Sequence, residues 1–383
     1  MTDLRDSFFS SAPTLKARAP GRIEFIGNHT DYNGGEVLGA AIDRYVTAEL
    51  ALREDQRIRL MSSLSERVVD LSMDAVEPQS GEDSWANYPL GVFTVLRNSG
   101  IEFERGFEIY FDSDLPLGAG LSSSAAIELA TLEALCAQAG VELERSQRVL
   151  LAQKAENDFV GVPCGMLDQA VSCFGNPDQL VHIDCAQVRF ASVPMPSGYH
   201  FWIFNSQEKH SLVDSLYAER NRECKAALAA LQGEYPQWKQ LVDASPEVIE
   251  TLLADQPALR RRAQHVVNEH RRVQECLKAL AAGDMDRVGE LLYASHDSSR
   301  DLFENSTPAL DGLVDSLRGQ PGVCGARLTG GGFGGAAMAL TTAAFKNDHA
   351  QAIVDQYRNN RPAAPEPAVI HVQTGEGSGV LLR

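Results

Sequence analysis

Residues 116–126 read Pro-Leu-Gly-Ala-Gly-Leu-Ser-Ser-Ser-Ala-Ala, between a strand-like run, 106–111, and a helical pattern that carries its own acid, Glu128. This junction constrains the fold more than any other stretch. Gly118 and Gly120 let the backbone approach an anion closely. The serines that follow open a helix whose first N–H groups lack intrahelical acceptors, at the end where the dipole favours negative charge. The stretch is suited to phosphate, although no lysine follows the glycines as in a P-loop. Taken alone, a Gly/Ser turn capping an ordinary helix remains the alternative.

At 383 residues the chain has room for two domains, each with its own core. Apolar residues make up 44% and charged residues 22%, the balance of a globular protein in water. The net charge of −18 argues against nucleic acid and anionic membranes as partners. A site for an anionic nucleotide must then be built locally, from backbone amides, a metal ion and a few cations. Residues 1–13 lack the basic start and apolar centre of a signal peptide, and no apolar run is long enough to span a bilayer. The seven cysteines form no Cys-x-x-Cys pair and leave an odd count, which fits reduced thiols in a cytoplasm.

Strand-like runs at 37–52, 57–61 and 106–111 mix with helical stretches after Trp85 and after Ser124. Long amphipathic helices are expected over 211–231, 246–282 and 285–303, with strands returning near 325–340 and 368–373. The polar, Pro- and Gly-bearing stretch 193–199 marks a domain boundary. Such irregular interleaving predicts α+β layers rather than a doubly wound sheet.

Three further motifs carry chemistry. In Ala-Pro-Gly-Arg-Ile-Glu-Phe-Ile-Gly-Asn-His-Thr-Asp-Tyr-Asn-Gly-Gly, 19–35, residues 22, 24, 26 and 28 would share one face of an extended strand. A cation, two acids, an amide and an imidazole in ten residues suit the hydroxyls of a sugar; a polar hairpin with a surface ion pair is the alternative. From Glu156 a helix runs into Gly-Val-Pro-Cys-Gly-Met-Leu-Asp-Gln, 161–169, presenting Asp168 as a catalytic group or simply as a cap. Between 330 and 335 five of six residues are glycine, giving up side-chain packing for close backbone approach.

In this order the four motifs resemble the galactokinases of the galactose–homoserine–mevalonate–phosphomevalonate (GHMP) kinase superfamily, over nearly the whole chain. The segments Trp85-Ala-Asn-Tyr88, Asn205-Ser206, Lys209-His210-Ser211-Leu212, Tyr217, Arg220, Glu223-Cys224, Ser295-His296 and Arg300-Asp301 extend the resemblance. It implies a two-domain α+β GHMP kinase fold: a ribosomal-protein-S5-like N-terminal domain over 1–195 and a ferredoxin-like C-terminal domain over 196–383. It also implies ATP- and Mg2+-dependent phosphorylation of a sugar's anomeric hydroxyl. Asp168 would take or orient the proton of the C1 hydroxyl, and Arg22 would lower its pKa and stabilise charge on the phosphoryl group. Ser124 and Glu156 match the Mg2+ ligands, leaving Glu128 as a helix-face bystander. Gly118, Ala119, Gly120, Leu121, Ser122, Ser123 and Ser124 would wrap the triphosphate. Ser62 would touch the nucleotide, and Trp85 either flanks the adenine or belongs to the core. Asn28, His29, Thr30, Asp31, Gly165 and Tyr217 would bind the sugar, with Asp31 at the C3 and C4 hydroxyls. The expected partners are a sugar and ATP, with no nucleic acid and no membrane. A monomer is expected, a weak dimer being the alternative.

Two positions depart from the family. Galactokinases usually carry Asn where this chain has Glu24, and Glu, which accepts from the C6 hydroxyl, where it has Asn28. Either the exchange is tolerated and galactose binds, or loss of the carboxylate admits a sugar altered at C6, such as galacturonic acid. On an extended strand Glu24 would lie two pleats, about 13 Å, from Asn28, and would find an internal partner such as an arginine. A non-catalytic sugar and ATP sensor is disfavoured by the intact Arg22, Ser124, Glu156 and Asp168. A mevalonate or homoserine kinase would not need His29 to Tyr32.

Overall fold

The computed structural model describes residues 2–116, 118–208 and 213–382. Leu117 of the Gly/Ser stretch, and Lys209, His210, Ser211 and Leu212 of the resemblance, lie outside the described residues. The first half of the chain forms α1 (Thr2–Phe8), β1 (Leu15–Ile26), β2 (Glu36–Leu52), β3 (Arg57–Ser62), β4 (Ser65–Ser72), α2 (Asn87–Asn98), β5 (Phe107–Ser113), α3 (Ser123–Ala139), α4 (Arg145–Ala155), α5 (Leu167–Phe174), β6 (Gln179–Asp184) and β7 (Arg189–Pro194). The second half forms β8 (Tyr199–Asn205), α6 (Val213–Gln232), α7 (Pro246–Leu252), α8 (Pro257–Ala282), α9 (Met285–Ser298), α10 (Pro308–Leu317), β9 (Val323–Thr329), β10 (Ala336–Thr342), α11 (Asn347–Asn360), β11 (Ala368–Val372) and β12 (Gly379–Leu382).

Two sheets organise these elements, as the α+β expectation required. The first has eight strands in the path β12-β1-β2-β5-β3-β4, with β6 and β7 branching from β2. Among the described residues only β3 and β5 pair in parallel. The second is antiparallel in the order β11-β8-β10-β9. Its strands run fourth, first, third, second in chain order, with helices in the first and last connections: the split β-α-β arrangement of a ferredoxin-like domain. The 193–199 boundary falls between β7 and β8, which belong to different sheets. The last strand, however, returns to the first sheet, where Val380 pairs with Ala17 of β1.

Period-two alternation in β8 divides its side chains between two cores. Phe201 and Ile203 join a core that includes Ile23 and Phe25 of β1, Leu129 and Leu132 of α3, and Leu291 and Leu292 of α9. Trp202 and Phe204 face α10 and α11, against Leu313, Val314 and Tyr357. The first core therefore runs across both halves of the chain. One expected helix divides: 246–282 becomes α7 and α8, because Pro257 cannot continue a helix and disfavours helical geometry in the residue before it.

Candidate active site

The polar segment after β1 does not continue as a strand. Gly27, at φ 115°, turns the chain, and His29 follows at φ 60°. The Thr30 hydroxyl lies 2.8 Å from the carbonyl oxygens of both Gly27 and Glu36 and closes the turn. From α8, Glu269 accepts the N–H groups of Gly27 and Asn28 at 3.0 and 3.1 Å. Burial pushes the Glu269 carboxyl up, but the Arg272 guanidinium beside it prevails and holds it at about 2. The shared face of residues 22 to 28 is therefore corrected: the turn folds Asn28 back onto Glu24.

Asn28 Nδ2 donates to Glu24 Oε1 at 2.9 Å, where an extended strand would separate the two residues widely, and also to the Gly330 carbonyl at 2.9 Å. Its Oδ1 accepts from Ser299 at 3.1 Å and from Asn305 at 2.8 Å. Every hydrogen-bonding position of the Asn28 amide is thus used inside the protein, so it is not a free group awaiting a sugar hydroxyl. The arginine partner expected for Glu24 is Arg327 of β9, whose guanidinium donates at 2.9 Å and is fully buried. Burial keeps the Glu24 carboxyl above its usual range against the pull of Arg327 and Arg22. Thr30 is also corrected. It is fully buried and, unlike its neighbours, does not line the cavity, because its hydroxyl is spent on the turn.

A cavity of about 470 Å³ opens beside this turn, lined by residues that include Arg22, His29, Asp31, Glu156, Gly165, Asp168 and Tyr217. Arg22, 5% exposed, grips Asp168 by two bonds: Nε to Oδ1 at 2.7 Å and Nη2 to Oδ2 at 2.8 Å. Its third bond, Nη1 to the Gly120 carbonyl at 2.7 Å, ties the pair to the Gly/Ser turn. Ser122, in the left-handed region at φ 56°, donates its hydroxyl to Asp168 Oδ2. Ser122 therefore belongs to the Asp168 side of that turn.

Asp31 opens a short turn, Asp31–Asn33, and meets the 161–165 loop where only glycine fits: a Cβ on Gly165 would fall 1.7 Å from Asp31 Oδ2. Dry surroundings, with Glu24 and Asp168 nearby, push the Asp31 carboxyl up to about 7. His29 stacks on Phe303 at 4.4 Å and lies 5.2 Å from the Tyr217 ring. Its Nδ1 lies 2.8 Å from the Tyr32 hydroxyl and its Nε2 3.0 Å from the Gly331 carbonyl. Burial lowers its pKa to about 3, so the ring is neutral. His29 offers the cavity a face, and its nitrogens are committed.

A second cavity, about 570 Å³, lies on the other side of the α3 N-terminus, lined by Ser62, Trp85, Ser123, Ser124 and apolar neighbours. Gly118 and Gly120 line the first cavity, Ser123 and Ser124 the second, so the Gly/Ser turn forms the wall between them. Leu121 and Ala119 point into the core, 3% and 1% exposed, and only their backbone can meet a ligand. Trp85 lines the second cavity and packs edge-on against Phe111 at 6.0 Å. Near the wall, Glu156 begins a π-helical turn after α4, with Ser124 of α3 beside it. Burial and then the Asp168 charge lift the Glu156 carboxyl to about 7.

Residues 5–52 match the galactokinase galactose-binding signature, 87–176 the GHMP kinase N-terminal domain and 276–363 the GHMP kinase C-terminal domain. A galactokinase of Staphylococcus carnosus is 37% identical over 381 residues, 97% of this chain and 96% of the relative. The chain belongs to the galactokinase family. A Thermotoga maritima family member is likewise 37% identical, over 90% of this chain and 94% of its own. The crystal structure of Lactococcus lactis galactokinase complexed with galactose superposes with a TM-score of 0.94, at 34% identity, over 99% of this chain and 98% of that one. A Methanococcus jannaschii mevalonate kinase, 18% identical, matches over 95% of this chain and 99% of its own at a TM-score of 0.67 and shares the fold.

Within this family member, three residues that the motifs did not single out hold the site in place: Arg327 fixes Glu24, and Glu269 and His265 grip the 27–28 turn. Gln169, the end of the 161–169 motif, and Glu128, read as a helix-face bystander, stand buried behind Glu156. The sequence signal for His265 and Glu269 is their four-residue spacing, which places both on one face of α8.

Proposed function

We infer that the protein transfers the γ-phosphoryl group of ATP to the C1 hydroxyl of D-galactose, giving galactose 1-phosphate and ADP. The observation that carries this reading is the Arg22–Asp168 pair, placed where the Gly/Ser turn separates two cavities of unlike character. The polar cavity suits a sugar and the more apolar one, with Trp85, suits a nucleoside. Asp168 takes the proton of the C1 hydroxyl as that oxygen bonds to the γ-phosphorus and the bond to ADP breaks. Arg22 holds Asp168 in line and offers its charge to the transferring group. Positioned acid–base groups of this kind contribute roughly 10²–10⁴ in rate. Asp31 accepts hydroxyls of the sugar ring, and Tyr217 and the His29 face bound it.

The residues fit a magnesium ion. Glu156 and Glu128 are buried carboxylates, and among the described residues the charges acting on Glu128 are those of Glu156 and Asp168, with no cation facing it. Buried carboxylates are otherwise paired or bound to metal. Among the described residues no three His, Cys, Asp or Glu side chains form a metal site by themselves. Magnesium needs only one or two carboxylates and takes its remaining ligands from phosphate and water. Ser124 and Glu156 would hold it, and it would neutralise charge on the β- and γ-phosphates. Seven unpaired thiols suit a cytoplasmic setting, and among the described residues no helix is long and apolar enough to cross a membrane.

Galacturonic acid is the weaker reading, because the carboxylate absent at position 28 stands at position 24, in direct contact with Asn28. The exchange keeps a negative charge on that wall, which repels a carboxylate at C6. The test is ADP release with galactose, galacturonate, N-acetylgalactosamine, arabinose and glucose, each with ATP and Mg2+. Galactose is expected to be turned over best and galacturonate rejected; the reverse would replace this reading.

A further inference from the structure

Behind Glu156 lies a polar cluster that phosphoryl transfer, as described so far, does not use. Glu128 follows Ser124 by one turn of α3, so both project from the same helical face. Glu128 and Gln169 are both fully buried. Gln169 bridges the two carboxylates, its Nε2 donating to Glu156 Oε2 at 2.5 Å and to Glu128 Oε2 at 3.1 Å. Glu128 Oε1 and Gln169 Oε1 are left buried without a partner. A buried acceptor without a donor destabilises the fold, and a second carboxylate beside the first makes the arrangement worse. Such a cluster is poorly explained by structure alone, since an apolar residue at position 128 would pack between helices at no such cost.

We propose that Glu128 and Gln169 are positioning residues of the divalent-cation site, with Gln169 fixing the Glu156 carboxylate and Glu128 adding negative charge behind it. The proposal rests on the reading of Ser124 and Glu156 as cation ligands. It assigns Glu128 a role in cation affinity that its place on the helix does not suggest. Partners behind a metal ligand typically set affinity by about 10–100-fold.

The test uses Mn2+ with a non-hydrolysable ATP analogue on the full chain, reading protein-held Mn2+ by water-proton relaxation. Glu128→Gln keeps the side-chain volume and an acceptor oxygen but removes the charge, and is expected to weaken Mn2+ binding about tenfold. Gln169→Leu, which removes the bridge, should do the same, and Glu156→Gln should lose more than either. If Glu128→Gln binds Mn2+ within about twofold of wild type while Glu156→Gln loses it, Glu128 is only a packing residue and the proposal falls alone. If Glu156→Gln also binds normally, the ligand assignment fails and takes the proposal with it.

Discussion

Asp168 meets Arg22 through two N–H···O bonds, and the proposed mechanism puts both where charge changes during transfer. Asp168→Asn and Arg22→Ala are each expected to lower kcat at least about a hundredfold while the fold is retained. The loss should appear in kcat rather than in galactose affinity; near wild-type turnover by Asp168→Asn would eliminate the proposed base. Glu24 and Asn28 give a second test, by thermal unfolding. Asn28→Glu sets two carboxylates together in a buried site, and Glu24→Asn strips Arg327 of its partner; each should cost about 3–5 kcal/mol. Exchanging both residues should recover most of that loss, and strict additivity would disprove the coupling. Asp31 supplies the pH dependence. Its carboxyl titrates at about 7 in the folded protein and about 3.9 in the unfolded chain. The folded state thus holds the proton more tightly, so this contribution to stability is present below about pH 3.9 and is lost as pH rises through about 7. Sugar hydroxyls donate best to the ionised form, so calorimetry should show galactose binding tightening from about pH 6 to pH 8, a trend absent in Asp31→Asn. Arg22, Asp31 and Asp168 were legible because each sits inside a dense local motif. Arg327 was not, because its partner Glu24 lies far away in sequence and nothing local marks a long-range contact.

Among the elements, the 161–165 loop and the 27–31 turn meet so closely that no side chain fits between them, and the proposed function makes that fit a requirement of catalysis. Gly165→Ala would drive a Cβ into Asp31, and about a hundredfold loss of kcat/KM for galactose is expected, the scale of a displacement of roughly 1 Å in a reacting complex. Unchanged kinetics would show that the two segments separate freely. The regular elements were readable where periodicity extends over many residues, as in β2, α3 and α9. The strand through residue 28 was misread because period-two polarity continues past Gly27 while the backbone does not. The break at Pro257 was written in the sequence, but the amphipathic pattern on both sides of it obscured the boundary.

For the molecule as a whole, the core that joins β1 and α3 to β8 and α9 makes the two sheets depend on each other. Chemical unfolding is expected to follow one transition, with tryptophan fluorescence and far-UV circular dichroism coincident; two separated transitions would mean that the halves are stable apart. The return of β12 to β1 has a consequence for synthesis. Until residues near 380 have left the ribosome, β1 presents an open edge along Lys16 to Arg18, the registers later filled by Leu382, Val380 and Gly379. A nascent chain holding every motif of the first half still lacks the strand that covers this edge of β1. Until then that edge is available to any extended segment nearby, and pairing with the short β12 covers it and so protects β1 from mispairing.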